Sequence, residues 1–595
     1  MVKEKVQLVT TFENKDYKAL IKDEKAKKDW FLNIHYGCDY VGIAKRYKDG
    51  NQGCFHCYER QKDLNNNLII ENNAELYVNS NINSPEEVGN VLQALLEEIN
   101  QVPEEITYII KYKDLSVEKI HVRSMEDCPC CGKMVDDNKW KFDLENQDFS
   151  TADSFRVKDR INTDAIKSAL LNVDSGLFQY IFRFPASCYI PILCSEFNDV
   201  VTNKRVRSFG RSFSMKNIET SALLEGLERY SGMYPRRKKS KIHASYNEIK
   251  EEAVNPEDLI IHTRPDIEEF GLEKYNPDKK YNWIWIYDWK EKKNVLLPEQ
   301  VAYYDIGKNT EEKRFIYETS NGIALGGSLQ EAVLYGLYEL IERDAFLVAW
   351  YNKYKPVKLD LTSIQDEKIR RTIDLVKLNG YKLHVFDITT ENKVPTVWVM
   401  IENPSKDAKV RSYSAAGAHT NPYKAIEAGL VEVITSMPIN EQFLPDDIER
   451  AKLINSDFSK VTTMEDHVLM YSIDEAFERL QYLFEDEEYK TIDELYPDWK
   501  EQSSEKSLKK VLTQLMDKVS EYHKHIYIVD QTNDLIEGLG LYCAKVIVPS
   551  MQTMHFGEQF KRLNKDRIMT GAVLAGWRDE PIREEDINDA PHPFP

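Results

Sequence analysis

Two short patterns in this chain carry residues able to do chemistry together. Ser221-x-x-x-Glu225-x-x-Glu228-Arg229 and Glu339-x-x-Glu342-Arg343 repeat a Glu-x-x-Glu-Arg set 114 residues apart. At three- and four-residue spacing, each set shares one face of a helix. A single set of this kind is the ordinary solvated, salt-bridged helix face. Two sets brought together would pool four carboxylates and two guanidinium groups, and such a cluster repels itself unless cations sit in it. Mg2+ takes hard oxygen ligands and Arg clamps phosphate oxygens bidentately, so a magnesium-bound polyphosphate is the ligand these groups suit. The chain has no GxxxxGK followed by Ser or Thr, and no GxGxxG. Neither a P-loop nor a dinucleotide fold is supported.

A second constellation is built from sulfur. Six of the nine cysteines precede residue 132, and Cys54 with Cys57 and Cys128 with Cys131 each have the C-x2-C spacing. Two such pairs place four thiolates on two turns, the closed tetrahedral set that structural zinc prefers. Cys38 and Cys130 are spare, and Cys130 could replace a neighbour as ligand. Clustered cysteines in a reducing compartment indicate metal binding rather than a disulfide framework.

These residues need elements to hold them. The stretch 319–350 opens with a Gly-rich turn and Ser328, with Glu331 three residues on, which predicts a capping-box start to a mostly buried helix carrying Glu339, Glu342 and Arg343. Leu223, Leu224 and Leu227 give the upstream helix an apolar side opposite Glu225 and Glu228. A short amphipathic helix, capped by Ser84 with Glu87, lies between the cysteine pairs. Strand-like runs are LFQYIFRF, CYIPILCSEF, HIYIVDQT and LYCAKVIVPS, and a Gly/Ala turn leads into a helix with Glu427 and Glu432. Residues 133–165 are polar and poorly periodic, which predicts a connector. His467 and His555 stand alone in sequence, so structural roles are expected.

At 595 residues, the chain is too long for one ordinary core. A composition of 42% hydrophobic and 30% charged residues is that of a soluble globular protein, and the net charge of −20 with no basic stripe argues against nucleic acid. No apolar run reaches membrane-spanning length and no signal segment opens the chain, so a cytoplasmic protein without a membrane partner is expected. The division expected is a smaller unit over 1–165 and a larger one over 166–595, in an α+β fold of mixed sheet and helix. The terminal PHPFP ends on its last proline, whereas Pro-rich ends are usually loose polyproline tails or ligands for aromatic grooves.

Over roughly 170–595 the motifs resemble the YcaO-domain proteins, and among them the azoline-forming cyclodehydratases of ribosomally made peptides. Ser221 to Arg229 resembles the family's first nucleotide motif, and Asn321-Gly322 through Glu339, Glu342, Arg343 and Asp344 resembles its second. The segment with Cys54, Cys57, Cys128 and Cys131 is similar to the zinc-bearing end of a ThiF/E1-like domain, present only in part. The resemblance implies ATP bound with Mg2+ by Arg211, Ser221, Glu225, Glu228, Arg229, Asn321, Glu339, Glu342 and Arg343. The magnesium ligands would be Glu225, Glu228, Glu339 and Glu342. It also implies structural Zn2+ and a reaction in which a Cys, Ser or Thr side chain of a precursor peptide attacks the preceding carbonyl and ATP phosphorylates the amide oxygen. The terminal carboxylate of Pro595 would be the base or orienting group. Three departures from the family pattern stand out: Arg211 in Gly210-Arg211-Ser212 where Lys is usual, Thr435 where Gln is frequent, and Ser550 where Gly is common. The first unit is too short for a complete E1-like domain, so a separate leader-binding ThiF-like partner is expected, along with a homodimer. Thioamide or amidine chemistry, and a non-catalytic peptide-binding scaffold, are the competing readings.

Overall fold

The structure is a computed structural model. It describes residues 8–12, 30–37, 39–47, 53–70, 85–102, 106–150, 155–157, 161–185, 190–199, 205–259, 262, 266–306, 313–405, 408–444 and 447–594. Cys38, Ser84 and Pro595, singled out above, lie outside these residues. The chain divides into two units. The first comprises 1–135 with 162–182 and 194–208, and the second 136–161, 183–193 and 209–595. Both combine sheets with helices, the α+β class expected from the sequence.

In the first unit, β1 (Leu8–Phe12), β2 (Trp30–Tyr36), β3 (Tyr40–Tyr47), β4 (Ile106–Lys111) and β5 (Val117–Ile120) form one sheet in that order. The β1–β2 pair is parallel and the others are antiparallel. Helices α1 (Phe55–Ile70) and α2 (Pro85–Gln101) join β3 to β4. Successive strand residues face opposite sides. Val41, Ile43, Tyr108 and Ile110 therefore pack with Val88, Leu95 and Ile99 of α2, while Tyr40, Ala44 and Ile109 pack with Phe55, Tyr58 and the cysteines. Three further strands, β6 (Phe178–Arg183), β7 (Ile192–Asn198) and β8 (Arg205–Arg211), form a sheet of their own in sequence order.

The second unit is organised by one helix. It begins with α3 (Met215–Met233), β9 (Ile242–Ser245), β10 (Lys280–Asp288), β11 (Lys293–Pro298), β12 (Ile323–Gly326) and α4 (Leu329–Tyr351). It continues with β13 (Lys358–Leu359), β14 (Lys382–Asp387), β15 (Thr396–Glu402), β16 (Ser412–Ala418), α5 (Pro422–Phe443) and β17 (Tyr489–Lys490). The last elements used here are α6 (Leu508–Tyr522), β18 (Tyr527–Asp530), β19 (Tyr542–Ile547) and α7 (Lys565–Leu574). One sheet runs β9-β10-β18-β19-β12, with β11 on β10, and another runs β16-β15-β14-β13-β17. Helix α4 packs on both. Its first half, from Ala332 to Ile341, shares a core with Ile528, Ala544 and Val546 of the first sheet. Its second half, including Phe346 and Trp350, shares a core with Phe386, Trp398 and Val399 of the second. A helix buried on nearly every side is expected to be apolar all round, yet Glu339, Glu342 and Arg343 lie where the two cores meet.

Gly322 and Gly336 allow the close approach of α4 to this sheet. Gly322 has φ of 78°, and a Cβ there would stand 2.4 Å from the Val546 carbonyl. A Cβ at Gly336 would stand 2.5 Å from the Gly322 carbonyl. A side chain at Gly322 would push the turn before β12 off β19, and one at Gly336 would push α4 off that turn.

Two expectations are corrected, and a third feature departs from what its composition usually means. Ser328 caps α4 by accepting from Glu331 N at 3.2 Å, but the Glu331 carboxylate does not complete the box. It pairs instead with Arg156 at 2.8 Å and accepts from Val157 N at 2.9 Å. These partners come from the stretch expected as a connector, in which Phe142, Phe149 and Phe155 are buried in the core around α4. The Pro-rich end is not loose: residues 590–594 are all buried. Trp350 Nε1 donates to the Ala590 carbonyl at 3.0 Å, Tyr471 donates to Pro591 O at 2.7 Å, and His467 Nδ1 donates to His592 O at 2.8 Å. Phe594, 1% exposed, packs on Phe346 with ring centroids 5.0 Å apart. His467 and His555 both belong to this anchorage, and burial keeps them and His592 neutral, with His467 pushed down to about 4.

Removing the Phe594 ring leaves a cavity that this rigid surround fills only in part. We therefore expect Phe594→Ala to lower unfolding free energy by about 3 kcal/mol, measured by urea denaturation. A change within error of zero would show that the end of the tail is not packed.

Candidate nucleotide and metal sites

Helices α3 and α4 present their acidic residues to the same short segment. Glu228 accepts from Leu325 N at 2.9 Å, and Glu339 accepts from Gly322 N at 3.0 Å, so the two carboxylates hold opposite ends of β12. Glu225 accepts from Phe209 N at 2.9 Å and from Arg229 at 2.8 and 3.1 Å. On α4, Arg343 lies 3.5 Å from Glu342 and 3.7 Å from Glu339. Helix α5 contributes Glu432, 3.8 Å from Arg211.

Burial and mutual repulsion both act on this set. Glu228 is pushed up to about 8 by burial, then by Glu339 and Glu225. Burial likewise pushes Glu342 up to about 7, where Arg343 opposes the shift and Glu339 and Glu432 add to it. Glu339 is raised by burial too, with Arg343 and the Gly322 N–H working against it. Fully ionised, five carboxylates against three guanidinium groups would leave an excess of negative charge, which Glu228 and Glu342 relieve by holding their protons more tightly. Several polar atoms within the cluster are buried and have no hydrogen-bond partner: Arg343 Nη1, Asn321 Oδ1 and Arg211 Nε. Clustered carboxylates beside the unpartnered donors of Arg343 and Arg211 fit a cation bound together with an anion that accepts hydrogen bonds, while Asn321 Oδ1 is free to accept from a ligand donor.

The residues expected here do not all meet. Arg211, Glu225, Glu228, Arg229, Asn321, Glu339, Glu342 and Arg343 lie on the segments around β12. Ser221 Oγ instead donates back to the Asn217 carbonyl at 2.9 Å within α3. Glu432 is the residue that sequence motifs passed over as a site member. Its neighbour Glu427 faces away, bound to Lys424 at 3.0 Å and to Lys368. Only the position of α5 against β16 and β15 separates the two roles. The carboxylates also stand farther apart than the thiols of the first unit, since they form no set of ligand atoms within 4.8 Å of one another. The tail reaches this cluster: the Phe594 ring lies 4.1 Å beneath the Arg343 guanidinium, a cation–π contact.

In the first unit, Cys54, Cys57, Cys128 and Cys131 bring all four sulfurs within 4.8 Å of one another, the one such metal-ligating group among the described residues. Cys54 is 3.7 Å from Cys128, and Cys57 is 3.5 Å from Cys131. Backbone N–H groups of Met125 and Cys130 point at the sulfurs of Cys57 and Cys128, both at 3.4 Å. Such N–H donors stabilise thiolate charge. Hydrogen bonds from Cys131 and Cys54 hold the Cys128 thiol well below its ordinary value. Cys130 stands outside the four.

The family model described as YcaO cyclodehydratase, ATP- and Mg2+-binding, matches residues 209–552. An uncharacterized protein of Methanothermobacter thermautotrophicus is 22% identical over 345 residues, covering 58% of this chain and 81% of its own. Among solved structures, a heterocyclase in complex with substrate and cofactor superposes with a TM-score of 0.73 at 18% identity, over 99% of this chain and 86% of that one. The heterocyclase TruD superposes with a TM-score of 0.62 at 17% identity, over 99% of this chain and 79% of its own. At these identities, the two structures show a shared fold.

Two outcomes follow from the geometry. Glu228 binds its proton more tightly folded, at about 8, than its ordinary value of 4.5. Across that window the folded, metal-free protein therefore holds the extra proton, and stability falls as pH rises. The difference in melting temperature between wild type and Glu228→Gln should thus shift in favour of the variant from pH 5 to pH 8 without metal. A difference independent of pH would contradict the cluster's repulsion. The purified chain should carry one zinc by elemental analysis, with Cys54→Ser and Cys128→Ser each losing it. Full zinc content in both variants would place the metal elsewhere.

Proposed function

The chain belongs to the YcaO family, and from that premise we propose that it is an ATP-dependent cyclodehydratase forming thiazolines or oxazolines in a ribosomally made precursor peptide. The observation that carries the proposal is the half-buried cluster of Glu225, Glu228, Glu339, Glu342 and Glu432, beside which the buried atoms Arg343 Nη1 and Asn321 Oδ1 have no partner. No helix of the described residues is long and apolar enough to cross a membrane.

The residues divide the work by chemistry. Glu225, Glu228, Glu339 and Glu342 would hold magnesium, and their wide spacing suits an ion that keeps several non-protein ligands. Bound magnesium would neutralise the polyphosphate charge. Arg343, Arg229 and Arg211 clamp phosphate oxygens, and Asn321 orients the ribose or phosphate end of the nucleotide. Ser221 would join them only by turning from Asn217.

In the reaction, a side-chain thiol or hydroxyl adds to the preceding amide carbon, ATP transfers its terminal phosphoryl group to the amide oxygen, and phosphate leaves with that oxygen as the C=N bond forms. The poor leaving group becomes a good one, and the arginines stabilise the charge that develops. Phe594 beneath Arg343 sets the tail at the cluster, which supports a role for the terminal carboxylate of Pro595 as base or orienting group. We assign the cysteine tetrad a structural zinc in an E1-like unit spanning 1–165, the catalytic domain to 166–595, and substrate delivery to a ThiF-like partner protein. Association as a homodimer in the cytoplasm completes the reading.

With cognate peptide and partner present, the chain should release phosphate and the peptide should lose one water per ring by mass spectrometry. Glu342→Gln should reduce both by about 100-fold or more, while residues appended after Pro595 should stop cyclisation and leave nucleotide binding intact. A gain in mass from sulfur for oxygen would support thioamide chemistry instead, and no phosphate release at all would support a scaffold.

A further inference from the structure

A second cavity of the larger unit, about 840 Å³, has none of the nucleotide-site residues in its wall. Ser550, His523, Asn564 and Arg567 line it. Three segments distant in sequence meet there. Ser550 follows β19, His523 caps the C-terminus of α6, and Glu391 sits in the turn between β14 and β15. Ser550 Oγ lies 2.7 Å from His523 Nδ1, and His523 Nε2 lies 3.6 Å from a Glu391 carboxylate oxygen. Going inward from the cavity, the hydroxyl is half-buried, the imidazole 2% exposed and the carboxylate 3% exposed.

The order hydroxyl, imidazole, carboxylate is that of an activated nucleophile: the base takes the hydroxyl proton and the acid fixes the base's tautomer. His523 Nε2 makes no hydrogen bond, and the Glu391 charge 3.6 Å from it favours a proton there, which would leave Nδ1 as the acceptor for the Ser550 proton. Surrounding contacts fix each member. Arg567 Nη2 holds Glu391 at 2.9 Å and is itself bound to Asp344, His523 N donates to Val519 O at 2.9 Å, and Asn564 Nδ2 donates to the Ser550 carbonyl at 3.0 Å. A hydrogen-bond network that served packing alone would need no cavity against its serine. The cavity volume lies within the usual range for small-molecule sites, roughly 300–1,000 Å³.

We propose that Ser550, His523 and Glu391 form a second, nucleophilic site that accepts the acyl group of a small carboxylic ester. Ser550 Oγ bonds to the acyl carbon as its proton passes to His523 Nδ1. The bond from that carbon to the ester oxygen breaks, and the leaving alcohol takes the proton from His523. Water then hydrolyses the acyl-serine by the same route, releasing the carboxylic acid and restoring Ser550. Asn564 lines this wall with Nδ2 bound to the Ser550 carbonyl, and its second amide hydrogen would be the donor offered to the developing oxyanion. This site has none of the proposed nucleotide ligands in its wall, touches their helix through Arg567 on Asp344, and does not depend on the cyclodehydratase reading.

The experiment treats the full-length protein with a fluorophosphonate, which loses fluoride on bonding to an activated serine, and maps the adduct by peptide mass spectrometry. The adduct should fall on Ser550, and His523→Gln should slow its formation by about 100-fold or more. An unmodified Ser550, or an equal rate in a His523→Gln variant that melts like wild type, overturns the proposal. Hydrolysis of p-nitrophenyl butyrate gives an arm that does not need the His523 variant to fold: Ser550→Ala should abolish it, and undiminished turnover in Ser550→Ala overturns the proposal as well.

Discussion

Like charges gathered in a partly dry place are the constraint on which the larger unit depends. Glu228, Glu339 and Glu342 would each prefer water, and burial raises all three. What holds them is backbone: the N–H groups of Gly322 and Leu325 take one carboxylate each, and Phe209 N takes Glu225. Three arginines supply part of the opposing charge, and protons held by Glu228 and Glu342 relieve more of it. A structure that keeps such a cluster accepts lower stability for a ligand that completes it.

Helix α4 makes this possible because its surroundings leave it no freedom. Apolar residues bind its first half to one sheet and its second half to another, and the acidic residues lie at the junction. The chain end reinforces the second half, through Trp350 on Ala590 and Phe346 on Phe594, and the same ring lies under Arg343. Packing and site are therefore coupled through single residues. Disturbing the tail changes both the core and the charge cluster.

Much of this was legible in the sequence, for identifiable reasons. Repetition exposed the two Glu-x-x-Glu-Arg sets, since one alone is indistinguishable from a solvated face. The four cysteines were legible because metal knuckles have fixed spacing, and the structure brings the same four together. Glu432 was not, because nothing local distinguishes it from Glu427; only where α5 lands against its sheet sends one inward and the other to lysines. The tail's composition alone reads as loose, and only the family resemblance put its end at the site; the grip itself comes from remote residues, Trp350, Tyr471 and His467. The aromatic residues of 136–161 were missed for the same reason: they have no period of their own and are ordered by the core around α4.

The central claim is that the carboxylate cluster of α3 and α4 is completed by a magnesium-bound nucleotide. Calorimetric titration of a non-hydrolysable ATP analogue into the full-length protein, with and without Mg2+, tests it most directly. The account predicts one site per chain with magnesium and binding lost when magnesium is chelated. Equal binding without magnesium, or none with it, would contradict the account.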